Sequence, residues 1–331
     1  MKPFVIPDKS SIRIAILGCG NITRKHAGLI RNSGWKTELA FASRSMEKAN
    51  EYKNKFHGVK AYSSYDSAIQ DPANHVIMIN TPPHLHFQYA KESLESGKHV
   101  IIEKPPFFNS LDFDLLGPLA EDNRLQLLVA ENYFYRPLRK QLEEVLSGKS
   151  LGIPLFIHIN ATKKQKSKND WREDPTLVKY GALFEGGIHW ANLMNNIGLH
   201  ITKVTGFRPV SESGLERSMQ VVAETEEGPI INLLYSWEVD TLFFGLRLSR
   251  IMGTGGSVIF ETNGIITIIR GKPFRIKFPN FSAISGFKPM WNDFLQAIIS
   301  GQPPQFTWKM AQKDLWLIEQ AYGINKSKQH N

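Results

Sequence analysis

A charged pair, Glu103-Lys104, with Pro105-Pro106 behind it, closes the apolar run His99-Val100-Ile101-Ile102. In an open α/β sheet, ligands bind beyond the carboxyl ends of the strands. An ammonium at that point can meet an anionic cofactor or polarise a substrate oxygen. Taken alone, Lys104 is equally a solvated loop lysine beside a turn-forming proline. A second polar loop, Asn80-Thr81-Pro82-Pro83-His84-Leu85-His86, ends the apolar run Val76–Ile79. Farther on, Glu185 and His189 stand four residues apart in a glycine-rich segment. On a helix, that spacing puts carboxylate and imidazole on one face. An imidazole, with an ordinary pKa near ~6.5, suits proton transfer at neutral pH. By itself His189 is also readable as a satisfied core histidine.

Gly18-Cys19-Gly20-Asn21-Ile22-Thr23 follows the first apolar run and opens a helical pattern, where a dinucleotide pyrophosphate would meet a helix N-terminus. Thr23 stands in place of the third glycine of that fingerprint, so helix-to-strand packing is expected to be looser. The second apolar run ends in Ala42-Ser43-Arg44-Ser45, with no carboxylate for a ribose 2′-hydroxyl. A guanidinium at Arg44, flanked by hydroxyls such as Ser43, instead suits a 2′-phosphate, which favours NADP with NAD still possible.

These groups need a scaffold, and the patterning supplies one. Up to about Ala130, short apolar runs (Ile12–Leu17, Thr37–Ala42, Val76–Asn80, His99–Ile102, Leu125–Ala130) alternate with helical segments (Ile22–Arg31, Ser45–Lys55, Phe87–Ser96, Asp112–Asn123). That is the rhythm of a doubly wound parallel sheet with crossover helices. After a further helix, Leu138–Leu146, strands dominate: Leu155–Asn160, Gln220–Glu224, Ile230–Glu238, Phe243–Met252, Ser257–Phe260, Ile265–Arg270 and Phe274–Phe278. Glu227-Gly228, Gly255-Gly256 and Asn263-Gly264 sit at hairpin positions. Two helices, Met290–Ile299 and Met310–Ile324, close the chain. The fold class expected is α/β, a Rossmann domain over residues 1–131 followed by an α+β domain over 132–331 with a large, mostly antiparallel open sheet. The last helix has the option of packing back on the first domain.

At 331 residues, two domains each able to bury a core are the natural division. The net charge of +9 shows one obvious cluster, Lys163-Lys164-Gln165-Lys166-Ser167-Lys168, without the aromatic interleaving of a nucleic-acid site. It reads as a solvated loop or as steering for an anionic substrate. A single cysteine, Cys19, excludes an internal disulfide framework and a cysteine-built metal site, and fits a reducing compartment. No apolar stretch approaches the ~18 residues of a membrane span. No metal, nucleic-acid or membrane partner is expected, and the location expected is cytoplasmic.

The motifs together resemble the glucose-fructose oxidoreductase / inositol dehydrogenase / rhizopine-catabolism (Gfo/Idh/MocA) family. Its Thr-Pro-x-x-x-His loop, Gly-Lys-His-Val and Glu-Lys-Pro are matched by Thr81 to His86, Gly97 to Val100 and Glu103 to Pro105. Trp171-Arg172-Glu173-Asp174 and Gly181 to Trp190 look like the family's Trp-Arg and Asp-x-Gly-x-His segments. Asn132-Tyr133 and Arg136-Pro137 sit where the family crosses between domains. Glu185 replaces the usual aspartate, and Asn192 a second one. The added methylene moves the carboxylate by about 1.5 Å, a displacement of the order that costs roughly a hundredfold in rate.

The resemblance implies Lys104 and His189 as the catalytic pair, with Glu185 orienting or binding substrate. Cofactor contacts would come from Gly18, Gly20, Asn21, Ile22, Ser43, Arg44, Thr81, Pro82, His86, Glu103 and Lys104, and from Trp171 and Arg172 near the nicotinamide. It implies hydride transfer between NAD(P) and a hydroxyl or keto carbon of a sugar, cyclic polyol or nucleotide-linked sugar, in a homodimer or homotetramer. The alternative is a dinucleotide-binding sensor of the same fold that does not turn its cofactor over.

Overall fold

The computed structural model describes residues 11–165, 177–209, 214–241 and 245–324. Contacts divide the chain into two compact units. The first holds the residues up to Glu131 together with Phe287–Gln312, and the second holds Asn132–Gly286 and the residues from Lys313.

The first unit alternates strand and helix: β1 (Ile12–Leu17), α1 (Asn21–Arg31), β2 (Thr37–Ala42), α2 (Met46–Lys55), β3 (Lys60–Tyr62), α3 (Tyr65–Gln70), β4 (Val76–Ile79), α4 (His86–Glu95), β5 (His99–Ile102), α5 (Asp112–Asp122) and β6 (Leu127–Val129). The strands form one sheet in the order β3-β2-β1-β4-β5-β6, with every pair parallel. Ile14 to Leu17, Val76 to Ile79 and Val100 to Ile102 are completely buried. Helices on both faces leave no solvated side, so these strands read as continuous apolar runs. Strand order reverses between β1 and β4, which opens a crevice at their carboxyl ends.

Two elements here escape the sequence pattern. β3 is a three-residue edge strand with only Tyr62 buried, too short to show periodicity. α3 has six residues, started by the Ser64 side chain accepting from the Ser67 N–H. Both are held by their neighbours rather than by their own patterning.

The second unit opens with α6 (Pro137–Ser147) and β7 (Pro154–Thr162). A π-helical turn at Leu183–Gly187 then runs directly into α7 (Ile188–Asn195). Seven strands follow: β8 (Ile201–Phe207), β9 (Ser218–Thr225), β10 (Ile230–Ser236), β11 (Leu248–Gly253), β12 (Gly256–Glu261), β13 (Thr267–Arg270) and β14 (Arg275–Lys277). They join β7 in an eight-stranded sheet ordered β14-β13-β12-β11-β7-β10-β9-β8. Only β7 and β10 pair in parallel. Ile157, Ile159, Val221, Ala223, Ile231, Leu233 and Ile251 alternate inward, whereas Phe156, Leu248, Met252 and Ile276 remain exposed. One face is therefore packed and the other open, which is the two-sided patterning of an antiparallel sheet. β8, an edge strand with most residues exposed or half-buried, carries too weak an alternation to stand out in the sequence.

α8 (Phe287–Ser300) and α9 (Trp308–Ala321) close the described chain. Among the described residues no helix is long and apolar enough to cross a membrane.

Candidate functional site

In the first unit the turn from β1 to α1 is built for close backbone approach. Gly18 has φ +100°, and a Cβ there would lie 2.9 Å from the Asn80 carbonyl oxygen, so the position requires glycine. Gly20 differs: it is extended, and a Cβ would meet nothing within 4 Å. Gly20 starts α1 without a side-chain cap, and no acidic residue occupies the first turn. The first-turn amides, Asn21 exposed and Ile22 half-buried, thus present a positive end to an anion. Cys19 does not oppose this, because burial pushes its thiol up to about 11 and keeps it neutral. Thr23 corrects the expectation of loose packing. It is completely buried, donates to the Gly18 carbonyl at 2.6 Å and accepts from Asn80 Nδ2 at 2.9 Å. A hydroxyl that bonds on two sides takes the place of glycine's close contact.

At the end of β2, Ser43 Oγ accepts from the Ser45 N–H and Ser45 caps α2 through the Lys48 N–H. These serines thus have local work, while Arg44 projects into solvent. At the end of β4, Asn80 Oδ1 and Thr81 Oγ1 are buried without a hydrogen-bond partner. Such atoms are costly unless something satisfies them. With the open flank of Gly20 and the α1 amides, they fit a dinucleotide lying across the β1/β4 crevice. Pro82 precedes the 3-10 turn Pro83–Leu85. His86 lies beneath the loop: its nitrogens approach the carbonyls of Pro106 at 2.9 Å and Thr81 at 2.7 Å. Burial pushes its pKa down against the pull of those carbonyls and of Glu103. It ties the loops after β4 and β5 together.

Behind Lys104 stands a buried chain that sequence reasoning missed. Trp291 Nε1 donates to His26 Nδ1 at 3.0 Å, which leaves the ring proton on Nε2, 2.5 Å from Glu103 Oε1. The other oxygen of Glu103 accepts from the Lys104 N–H at 3.1 Å. Burial raises the Glu103 pKa, but the His26 hydrogen bond and the charge of Lys104 help outweigh it, and the net shift is downward. A carboxylate held ionised thus fixes the backbone that carries the half-buried Lys104. His26 sits on the buried face of α1, and no spacing rule links it to residue 103.

In the second unit, Glu216 organises the start of the His189 segment. Its carboxylate accepts from the Gly181 and Leu183 N–H groups at 2.9 and 2.8 Å and from the Tyr322 hydroxyl at 2.7 Å. Burial nevertheless leaves its pKa raised. A Cβ on Gly181 would collide with Glu216 at 2.1 Å. The segment is helical, and Glu185 and His189 are both half-buried. The imidazole stacks on Tyr133, whose other face carries Arg136, with Cζ 3.4 Å from the ring centroid. Tyr133 also meets Trp190 edge-on. Asn192 is completely buried and donates to Asp314 at 2.6 Å. An amide at this position can donate to Asp314, which a second carboxylate could do only if protonated. Trp171 and Arg172 lie outside the described residues, as do Lys166 and Lys168.

Residues 12–131 match the NAD-binding Rossmann domain of the Gfo/Idh/MocA oxidoreductase family, and residues 140–259 match a C-terminal domain of the same family. The chain belongs to that family.

Oxidoreductase P35 of Formosa agariphila is 28% identical over 56% of this chain and 60% of its own length. Levoglucosan dehydrogenase of Pseudarthrobacter phenanthrenivorans is 30% identical over 45% of this chain and 39% of its own. Glucose-6-phosphate 3-dehydrogenase of Bacillus subtilis is 25% identical over 55% and 52%. These matches thus span only about two-fifths to three-fifths of the relatives' lengths. The fold is shared with an oxidoreductase from Thermotoga maritima, with TM-score 0.84 at 22% identity over 94% of this chain and 96% of that one. It is shared too with a levoglucosan dehydrogenase in complex with NADH and levoglucosan, with TM-score 0.81 at 18% identity over 96% and 98%.

Proposed function

We propose that this protein is an NAD(P)-dependent oxidoreductase acting on a hydroxyl or keto carbon of a sugar, cyclic polyol or nucleotide-linked sugar. The observation that carries the reading is the first unit's crevice, where orphaned Asn80 and Thr81 oxygens, the α1 amides and the open flank of Gly20 converge beside Glu103-Lys104. Relatives named as dehydrogenases of levoglucosan and glucose 6-phosphate support the substrate class.

When bound, the dinucleotide supplies or accepts the hydride. Lys104 polarises the substrate oxygen and stabilises charge that develops on it. His189 donates or removes the proton on that oxygen, held in orientation by the Tyr133 ring. Glu185 binds or orients substrate. Gly18, Gly20, Asn21, Ile22, Thr81 and Pro82 line the dinucleotide, and Trp171 and Arg172 contact its nicotinamide end. His86 and Glu103 act from below, by fixing the loops. Exposed Arg44, with Ser43, favours NADP. The open face of the second unit, with Phe156 53% and Ile276 50% exposed, supports a homo-oligomer in which a second copy covers it. The single cysteine is in keeping with the cytoplasm.

The test is a titration with NADH and NADPH followed by a turnover screen over keto sugars and polyols, repeated with Lys104→Ala and His189→Asn. Cofactor binding retained with turnover lost in both variants is the expected result. Tight binding without turnover on any substrate would favour a sensor, and unchanged turnover would remove both residues from the chemistry.

A further inference from the structure

Two arginines of the second unit, Arg136 half-buried and Arg247 buried, stand in positions that the proposed hydride chemistry leaves without a task. Arg136 Nε and Nη1 are buried without a hydrogen-bond partner, and so is Arg247 Nε. Arg247 is only 7% exposed, and among the described residues its one side-chain hydrogen bond runs from Nη2 to Asn263 Oδ1 at 2.8 Å. Guanidinium is never neutral in a protein, and burying its donors without hydrogen-bond partners is unfavourable.

The nearby carboxylate, Glu261, offsets part of the Arg247 charge through space but spends its hydrogen bonds on Asn263. Glu261, 1% exposed, accepts from the Asn263 N–H and Nδ2 at 2.8 and 3.0 Å. Among the described residues no ion pair joins either arginine to an acid. Both cations pack on one aromatic pair: Arg136 Cζ lies 3.4 Å from the Tyr133 ring centroid, and Arg247 Cζ lies 5.6 Å from that of Trp190. The two rings meet at 90° with centroids 5.2 Å apart. Burial pushes Arg247 down, Tyr133, Glu261 and Tyr235 pull it back up, and the charge of Arg136 adds a smaller downward push. Two like charges in one neighbourhood are stabilised together by an anion placed at both.

His189 stacks against Tyr133 at 4.0 Å. Two groups that close to one centroid occupy opposite faces, so the imidazole and the Arg136 guanidinium are separated by the thickness of the phenol ring.

We infer that Arg136 and Arg247 form an anion subsite that selects a sugar bearing an oxyanion, a carboxylate or a phosphate, while its reacting carbon faces His189. The subsite rests on the oxidoreductase reading for its link to catalysis but not for binding. A forked guanidinium pairs with either oxyanion through two parallel hydrogen bonds.

The experiment is calorimetric binding of D-glucose, D-glucuronate and D-glucose 6-phosphate to the full chain, to Arg136→Gln and to Arg247→Lys. Arg44→Ala controls for phosphate binding in the first unit, and NADH affinity reports that each variant is folded. Expected is roughly tenfold or greater preference for at least one anionic sugar over glucose, reduced roughly tenfold in both arginine variants and not in Arg44→Ala. Preference for the phosphate or for the uronate identifies the oxyanion. Equal binding of all three sugars, or a preference that survives in both arginine variants, overturns the subsite. Turnover of neutral polyols without any anionic preference sinks the subsite and leaves the oxidoreductase. Anionic binding without turnover of any sugar does the reverse.

Discussion

The imidazole of His189 lies flat against the phenol ring of Tyr133, with centroids 4.0 Å apart and planes 6° from parallel. A ring held this way cannot swing about its own side-chain bonds without losing the stack, which contributes about 0.5–1.5 kcal/mol. Tyr133→Phe should therefore retain turnover. Tyr133→Leu should lower it about ten- to a hundredfold through misorientation, with NAD(P)H affinity unchanged. Steady-state kinetics beside a fluorescence titration checks this, and equal losses in both variants would assign the effect to the hydroxyl.

The two glycines of the β1–α1 turn should separate stability from binding. Gly18→Ala meets both the φ of +100° and the Asn80 carbonyl, and should cost about 1–3 kcal/mol in a denaturant melt. Gly20→Ala should melt within about 1 kcal/mol of wild type, because its backbone suits any residue. Its dinucleotide affinity should nevertheless fall.

Arg44→Ala should raise the Kd for NADPH about tenfold or more while leaving that for NADH unchanged, since only the former carries a 2′-phosphate. Parallel loss for both nucleotides would mean that Arg44 contacts something other than that phosphate.

Burial, helped by the charge of His75, pushes the His99 imidazole down to about 4. In the unfolded chain it titrates near ~6.5, so between these values the unfolded state binds the extra proton. Stability from this group is therefore present above about pH 6.5 and is lost as pH falls toward 4, on the order of 3 kcal/mol in all. His99→Asn keeps an acceptor for the Gln126 N–H, 3.0 Å from Nδ1 in the wild type, and should flatten the acid side of a stability-versus-pH curve. An unchanged slope would mean that His99 is already protonated in the fold.

Asn192→Asp would set a second buried carboxylate against Asp314, itself 2% exposed. The pair can persist only with one member protonated. The variant should lose about 3–5 kcal/mol at pH 8 and recover as pH drops toward 5. A melt independent of pH would show that the segment repacks.

The crevice proposed for the cofactor was legible in the sequence because its parts are local. Gly18, Gly20 and Glu103-Lys104 stand at strand ends, and strand ends follow from continuous apolar runs. The buried chain from Trp291 through His26 to Glu103 was not legible, since its members are drawn together by tertiary packing alone. Thr23 was misread for a related reason: a missing glycine predicts looser contact unless the partner of the replacement hydroxyl, Asn80, is known. Tyr133 and Arg136 were visible as residues at the domain crossing, but the stack on His189 depends on the π turn and α7, which the spacing of Glu185 and His189 only hinted at. β3, α3 and β8 escaped because short or exposed elements borrow their order from neighbours.

The first unit is discontinuous: Trp291, whose indole fixes the His26 proton, is contributed by α8, more than 150 residues after β6. During synthesis the nucleotide-binding sheet therefore emerges long before the helix that completes it. Until then His26 and Glu103 lack one member of their chain, and the apolar surface awaiting α8 is exposed to other nascent chains. A fragment ending at Glu131 should accordingly be prone to aggregation, and supplying Phe287–Gln312 as a separate peptide is the direct way to rescue it.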